Sequence, residues 1–198
     1  MVKILNLYCG IGGNRNLWGD EHDITAVEIN PDIAAVYQDR FPDDKVIVGD
    51  AHEYLLEHFQ EFDFIWSSPP CPTHSRMRLN HKKKVFPDMK LYQEIILLKH
   101  SFKGDWVVEN VIPYYEPLIC PSAKIQRHCF WSNFKIKEME VSSCNVGKAT
   151  KETLAEHHNI EMPKCKNQRL LLRNCVYPPL GLHILNCSLN LNNTSKSK

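Results

Sequence analysis

The sequence predicts an α/β fold: a mostly parallel sheet with helices on both faces. Three observations carry this. Short β-branched and aromatic runs alternate with helical patterns through residues 1–111, and crossovers of that kind place helices over both sides of a parallel sheet. The first run ends in a glycine turn, Cys9-Gly10-Ile11-Gly12-Gly13. A later apolar run, Phe62 to Trp66, stops at Pro69-Pro70-Cys71. Proline cannot donate to a sheet ladder, so Cys71 is presented at a strand's carboxyl end, where open α/β sheets line their ligand crevice.

Taken in order, Val2 to Tyr8 is the first strand, and Asn14 to Trp18 begins a helix after the glycine turn. Asp23 to Ile29 is the second strand, followed by a helix with Pro31 at its first position, where a missing N–H costs nothing. Lys45 to Val48 is the third strand, ending at Gly49-Asp50, and Ala51 to Phe59 a short helix leading to the Phe62–Trp66 strand. Arg76 to Phe86, with His81-Lys82-Lys83-Lys84 at its centre, reads as a mobile basic loop. A helix from Pro87 to about Gly104 precedes the fifth strand, Asp105 to Val111, which carries Glu109-Asn110. Residues 125–136 form one or two short strands, and Lys151 to His158 a helix within a polar stretch. Leu170 to Leu172 and the segment from Pro178 restore an apolar pattern, a strand or turn and then a closing helix.

A chain of 198 residues suits one domain with a proper core. The expected organisation is a single catalytic domain over 1–187, with a reduced insert at about 137–168 and a disordered tail over 188–198. No run of 18 or more apolar residues occurs, so no membrane span is expected. The N-terminus enters a strand-like run without a signal-peptide cleavage site, which predicts a cytoplasmic protein. The eight cysteines include no Cys-x-x-Cys pair, so reduced thiols are expected. Cys144, His157, His158 and Cys165 lack the spacing of a zinc finger or knuckle, and no metal site is assigned.

Charge is unevenly distributed. Residues 1–75 carry 4 Lys/Arg against 13 Asp/Glu, a balance of −9, whereas residues 76–198 carry 20 against 10, a balance of +10. A basic half suggests a nucleic-acid partner, although a solvated basic surface accounts for it equally.

The glycine turn lets backbone approach a ligand closely. Glu28 follows Gly10 by 18 positions at the end of the second strand, where an acid accepts hydrogen bonds from ribose hydroxyls in dinucleotide-type sites. Asp50 ends the third strand and can meet an adenine amine. Together they point to an adenosine-containing cofactor, and spacing alone leaves NAD and S-adenosylmethionine both open. A cysteine nucleophile facing an acid on a neighbouring strand end, Glu109, suits covalent activation of an electron-poor ring better than hydride transfer.

The ordered motifs are Tyr8-Cys9-Gly10-Ile11-Gly12-Gly13, Val27 to Pro31, Gly49 to Ala51, Ser68 to Ser75, Glu109 to Val111, Gln126 to Trp131 and Arg173 to Gly181. In this order they resemble the cytosine-C5 DNA methyltransferases, over residues 1–135 and about 170–187. The resemblance implies a Rossmann-like S-adenosylmethionine-dependent fold and addition of the Cys71 thiolate to cytosine C6, with Glu109 at the N3 and amine edge. It places Arg127 in the cytosine site. Tyr8, Gly10, Gly12, Gly13, Glu28, Ile29, Asp50, Ala51, Pro70 and Asn174 are carried over as cofactor residues. Flipping a cytosine out of a duplex costs a few kcal/mol, and Ser75, Arg76, Arg78, Lys82, Lys83 and Lys84 are the corresponding nucleic-acid contacts. Two departures stand out. The usual Gln-x-Arg-x-Arg pattern reads Gln126-Arg127-His128-Cys129, and only about 35 to 40 residues replace a target-recognition domain, less than an ordinary domain. Recognition is then minimal, or supplied by a protein partner or self-association. A phage or mobile-element DNA methyltransferase is the expected function; an RNA (tRNA) cytosine methyltransferase or a non-catalytic accessory subunit are the alternatives.

Overall fold

The computed structural model describes residues 1–77, 85–142 and 144–195, with side chains through Leu189. Seven strands form one sheet in the order β3-β2-β1-β4-β5-β7-β6: β1 Lys3–Leu7, β2 Asp23–Glu28, β3 Lys45–Val48, β4 Phe64–Ser67, β5 Asp105–Val111, β6 Ala123–Ile125 and β7 His128–Ser132. β1 to β5 pair in parallel, β7 runs antiparallel to β5, and β6 runs antiparallel to β7. The strand order reverses between β1 and β4. Their carboxyl ends therefore splay apart into the crevice that a doubly wound sheet offers a ligand.

Helices α1 Pro31–Arg40, α2 Ala51–His58, α3 Lys90–Ser101, α4 Lys151–His158, α5 Gln168–Asn174 and α6 Pro178–Ser195 complete the fold. Period-2 alternation divides β1 between two cores: Ile4 packs with Phe64, Trp66, Leu180 and Ile184, while Leu5 and Leu7 pack with Leu55, Leu91, Ile95 and Leu98. The sheet thus has α6 on one face and α2 with α3 on the other, the arrangement the sequence predicts. α1 begins as expected, with Pro31 at its first position and the Asn30 side chain capping the amides of Asp32 and Ile33.

Four expectations change. The helix expected from Asn14 is a single 3-10 turn, Asn14–Leu17, because Gly19 at φ 78° turns the chain away. The helix expected from Pro87 begins at Lys90. Leu170 to Leu172 lies in a helix. The tail expected to be disordered from residue 188 is helical to Ser195, carried by Leu185, Cys187 and Ser188, all buried.

The insert is not a loose loop. Leu154 and Ile160 bury fully against Ile11, Leu172 and Cys175, with Ile33 and Val36 of α1 at the edge. It is stitched over the glycine turn. Among the described residues no helix is long and apolar enough to cross a membrane.

Candidate active site

β1 ends in strained backbone: Tyr8 and Gly10 both lie in the left-handed region, at φ 54° and 53°. A side chain on Gly10 would meet no atom within 4 Å, so this peptide faces open space. Gly12 and Gly13 are different. A Cβ on Gly12 would come within 2.4 Å of Phe41, and one on Gly13 within 2.7 Å of the Cys175 side chain and 2.8 Å of the Val176 carbonyl. Their missing side chains therefore let α1 and the α5–α6 connection close on the turn.

Glu28 is buried, and its carboxylate accepts from the amides of Gly10 (3.1 Å) and Asn30 (2.9 Å). Two of its roughly four acceptor positions are then used. Asp50 caps α2 through the amides of His52 and Glu53 and meets Lys90 Nζ at 3.5 Å. Burial works to raise its pKa, but those amides and the Lys90 ammonium more than offset this, holding Asp50 below the usual carboxylate range.

A cleft of about 150 Å³ lies between these strand ends, lined by Tyr8, Ile29, Asp50, Ala51, Pro70 and Lys90 among others. Ile29 is 66 % exposed at its rim, an apolar side chain held in solvent. An open glycine peptide, a carboxylate with spare acceptor capacity, a second acid and an apolar rim together fit a nucleoside cofactor with a charged tail. Asn174 stands apart as the exposed last residue of α5.

Beneath the cleft lies a buried network that the motifs did not announce. The Glu94 carboxylate of α3 accepts from Tyr8 Oη (2.6 Å) and Ser67 Oγ (2.5 Å), and His52 Nδ1 lies 3.0 Å away. Glu94, His52 and Ser67 are all buried. The Glu94 hydrogen bond raises the His52 pKa against the opposing effect of burial. The helical spacing of Leu91, Glu94, Ile95 and Leu98 puts Glu94 on an apolar face, which is the signal the sequence carried.

Cys71 is half-buried just past β4. The turn after it is fixed by His74 and Ser75, whose amides each donate to the Cys71 carbonyl at 3.0 Å. His74 is buried with Nδ1 2.6 Å from Tyr115 Oη, and Ser75 pairs with Pro113. Asn110, which the motif contains but no site role predicted, donates from Nδ2 to the Pro69 carbonyl at 2.9 Å. The strand bearing Glu109 is thus tied directly to the Pro-Pro-Cys turn.

Burial pushes the Cys71 thiol up and the Glu109 charge adds to this, while Arg127 and Arg173 pull it down. Glu109, on β5, is likewise pushed up to about 7 by burial, against a hydrogen bond from the Ser68 side chain and the charge of Arg127. These mutual shifts bring Cys71, Glu109 and Arg127 into one electrostatic neighbourhood. Arg127 does not bond Glu109; its Nη2 donates to the Arg173 carbonyl at 2.8 Å. The next residue makes the approach instead, with His128 Nδ1 3.2 Å from Glu109 Oε1.

Ser75 and the exposed Arg76 flank this site. Arg78, Lys82, Lys83 and Lys84 lie outside the described residues. Cys144, His157 and His158 line a second cavity of about 250 Å³ with Arg127, His128 and Cys175, and Cys165 is not part of its wall.

A family model described as C-5 cytosine-specific DNA methylase matches residues 2–112. No curated protein matches. Among solved structures, an Entamoeba histolytica methyltransferase, EhMeth, aligns over 97 % of this chain and 99 % of its own at 11 % identity, with a TM-score of 0.63. That likeness establishes the methyltransferase fold over the whole chain, insert included. A Spodoptera frugiperda DNMT2 variant is 29 % identical over 56 % of this chain and 36 % of its own, TM-score 0.40. The Schizosaccharomyces pombe Dnmt2 methyltransferase is 23 % identical over 60 % and 38 %, TM-score 0.44. The chain spans little more than a third of either of these two. With more than half of its residues matched by the family model, the chain belongs to the C-5 cytosine-specific DNA methylase family.

Proposed function

We propose that this protein methylates C5 of cytosine in DNA, with the base flipped out of the duplex and held as a covalent adduct on Cys71. The observation that supports this most is the pairing of Cys71 and Glu109 at adjacent strand ends, with Asn110 bonded to the Pro69 carbonyl beside the cysteine. S-adenosylmethionine, when bound, supplies an electrophilic methyl group on a sulfonium. Tyr8, Gly10, Glu28, Ile29, Asp50, Ala51 and Pro70 are the residues that would hold it, with Gly12 and Gly13 shaping the turn.

The remaining steps belong to the chain's own residues. Cytosine C5 is too poor a nucleophile to take a methyl group unaided. Addition of the Cys71 thiolate at C6 breaks the C5–C6 π bond and pushes its electrons toward C5 and N3. The thiol lies above its ordinary pKa in the free protein, so it gives up its proton to solvent only with help: the Arg127 and Arg173 charges favour the thiolate, and protonated Glu109 no longer opposes it. Glu109, a carboxyl that burial keeps readily protonated, neutralises the charge that arrives at N3. Solvent then takes the C5 proton, the electrons of that C–H bond restore the C5–C6 double bond, and the C6–S bond breaks to release Cys71 as thiolate together with the product. Ser75 and Arg76, with Arg78, Lys82, Lys83 and Lys84, are proposed to contact the phosphodiester backbone and offset the cost of flipping. With so small an insert, site choice is short or degenerate, or shared with a partner protein or a second copy.

Incubating the protein with methyl-labelled S-adenosylmethionine and either duplex DNA or RNA tests this. Label in DNA cytosines that disappears in Cys71→Ala supports the proposal. Label only in RNA moves the substrate to RNA. Cofactor binding without transfer to either, or no cofactor binding, favours an accessory role.

A further inference from the structure

The antiparallel register sets Glu109 opposite Phe130 and Val111 opposite His128. Paired residues share a face, and alternate residues along a strand return to it. His128 therefore projects on the same side as Glu109, one step along β7 from Phe130, whose ring centroid is 6.1 Å from its own. Arg127 precedes the strand and turns its guanidinium to Arg173. The group that comes within hydrogen-bond distance of the carboxylate is therefore the His128 ring and not the Arg127 guanidinium.

The pair is closed off from solvent. Glu109 is 7 % exposed and His128 4 %, and Nδ1 of His128 stands 3.2 Å from Glu109 Oε1. The approach is at hydrogen-bond distance but off-line, leaving Nδ1 without an aligned partner. A rotation of the imidazole ring aligns it, as catalytic contacts tighten when a substrate is bound. Burial drives Glu109 up to about 7 and His128 down to about 3, Arg127 adding to the latter. The ring is thus neutral wherever the protein works, and whichever nitrogen carries its one proton decides what it offers Glu109.

We infer that His128 is the positioning residue for Glu109: as the Nδ1–H tautomer it donates to Oε1, aims the other carboxyl oxygen at the base, and stabilises the carboxylate left behind. This rests on the assignment of Cys71 and Glu109 as the reacting pair. When the Cys71 sulfur bonds to C6, the ring's π electrons reach N3, and N3 takes the proton from Glu109; the O–H bond breaks as the N3–H bond forms. His128 keeps its proton and gains a charge-assisted hydrogen bond to the new carboxylate. Elimination reverses the transfer. The other groups acting on the pair are Ser68 and Cys71 from the β4 turn and Arg127 before β7, while Arg173 on α5 acts on Cys71 and Arg127, and His158 on α4 shares a cavity wall with His128. Ser68 Oγ in turn accepts from Trp66 Nε1 at 2.8 Å, so it too is fixed.

Carbon-13 NMR of labelled glutamate carboxyls against pH, with the Glu109 signal assigned by its loss in Glu109→Gln, reads the pair without requiring turnover. Removing the Nδ1–H donor in His128→Phe should move the Glu109 inflection upward by about one unit or more, while His128→Asn, which still donates, keeps it near the wild-type value. In the wild type, imidazole nitrogen-15 shifts should report Nδ1 as the protonated nitrogen. With DNA, His128→Phe should lower kcat by about tenfold or more at unchanged KM for S-adenosylmethionine. An Nε2–H tautomer, or a Glu109 inflection indifferent to His128, overturns the inference even if His128→Phe fails to fold, because the tautomer is read in the wild type. The expected titration in a protein that methylates no DNA would leave the pair intact and remove the DNA assignment instead.

Discussion

Glu109 carries an ionisation cost that its neighbours only partly relieve. Its pKa rises from 4.5 to about 7 on folding, so the folded protein holds a proton that the unfolded chain has released across that window. The stability contribution is complete below pH 4.5 and lost as pH rises through about 7. Glu109→Gln should therefore stabilise the protein at pH 8 by up to about 3 kcal/mol relative to pH 5, measured as the pH dependence of the difference in thermal unfolding. Equal differences at both pH values would show that Glu109 is not held protonated. Cys71→Ala should reduce methyl transfer by at least about 10³-fold while leaving cofactor binding intact. At this scale the sequence was informative about placement at strand ends, where Cys71, Glu109, Glu28 and Asp50 are found. It was silent on His128 because register decides which of two adjacent residues faces the carboxylate, and one position exchanges the two faces.

The element that ties together the strand ends beneath the cleft is α3. Its Glu94 bonds the end of β1 through Tyr8 and the end of β4 through Ser67, and lies against α2 through His52. Glu94→Leu leaves these buried polar groups unmatched and should cost about 3 kcal/mol or more, seen in denaturant unfolding. Because Glu94 raises the His52 pKa above 6.5, its contribution is fullest below pH 6.5 and declines as pH rises through the folded value. The loss in Glu94→Leu should then be larger at pH 6 than at pH 8; a pH-independent loss would show that His52 takes no proton from the pairing. At the other face, α6 approaches the turn after β1 so closely that a Cβ on Gly181 would lie 2.4 Å from the Asn14 carbonyl. Gly181→Ala should accordingly lower the melting temperature and shift the glycine turn. The strands were readable because each is a compact β-branched run. Of the C-terminal helices, α4 and the start of α6 were readable as well, and α5 was not, since three leucines in a row suit either secondary structure until α4 and Ile11 provide the packing surface.

Across the whole molecule, the strand order and the two-faced core follow from the alternation the sequence displays, and the crevice follows from the order. What composition could not convey is that the insert is tied to the sheet by an apolar cluster of its own: Leu154 and Ile160 share it with Ile11, which lies inside the glycine turn. Leu154→Ala should cost about 2 to 4 kcal/mol and keep a single cooperative unfolding transition; a separate early transition would mark the insert as its own unit. Joined to the turn in this way, the insert braces the backbone at the end of β1. The covalent step at Cys71 is what the proposed methyl transfer depends on most. Duplex DNA containing 5-fluoro-2′-deoxycytidine, incubated with the protein and S-adenosylmethionine, blocks release because the fluorine cannot leave as the C5 proton does. A denaturation-resistant protein–DNA adduct whose linkage maps to Cys71 is the expected result, whereas methylation of ordinary DNA that persists in Cys71→Ala, or an adduct mapped to another residue, would contradict it.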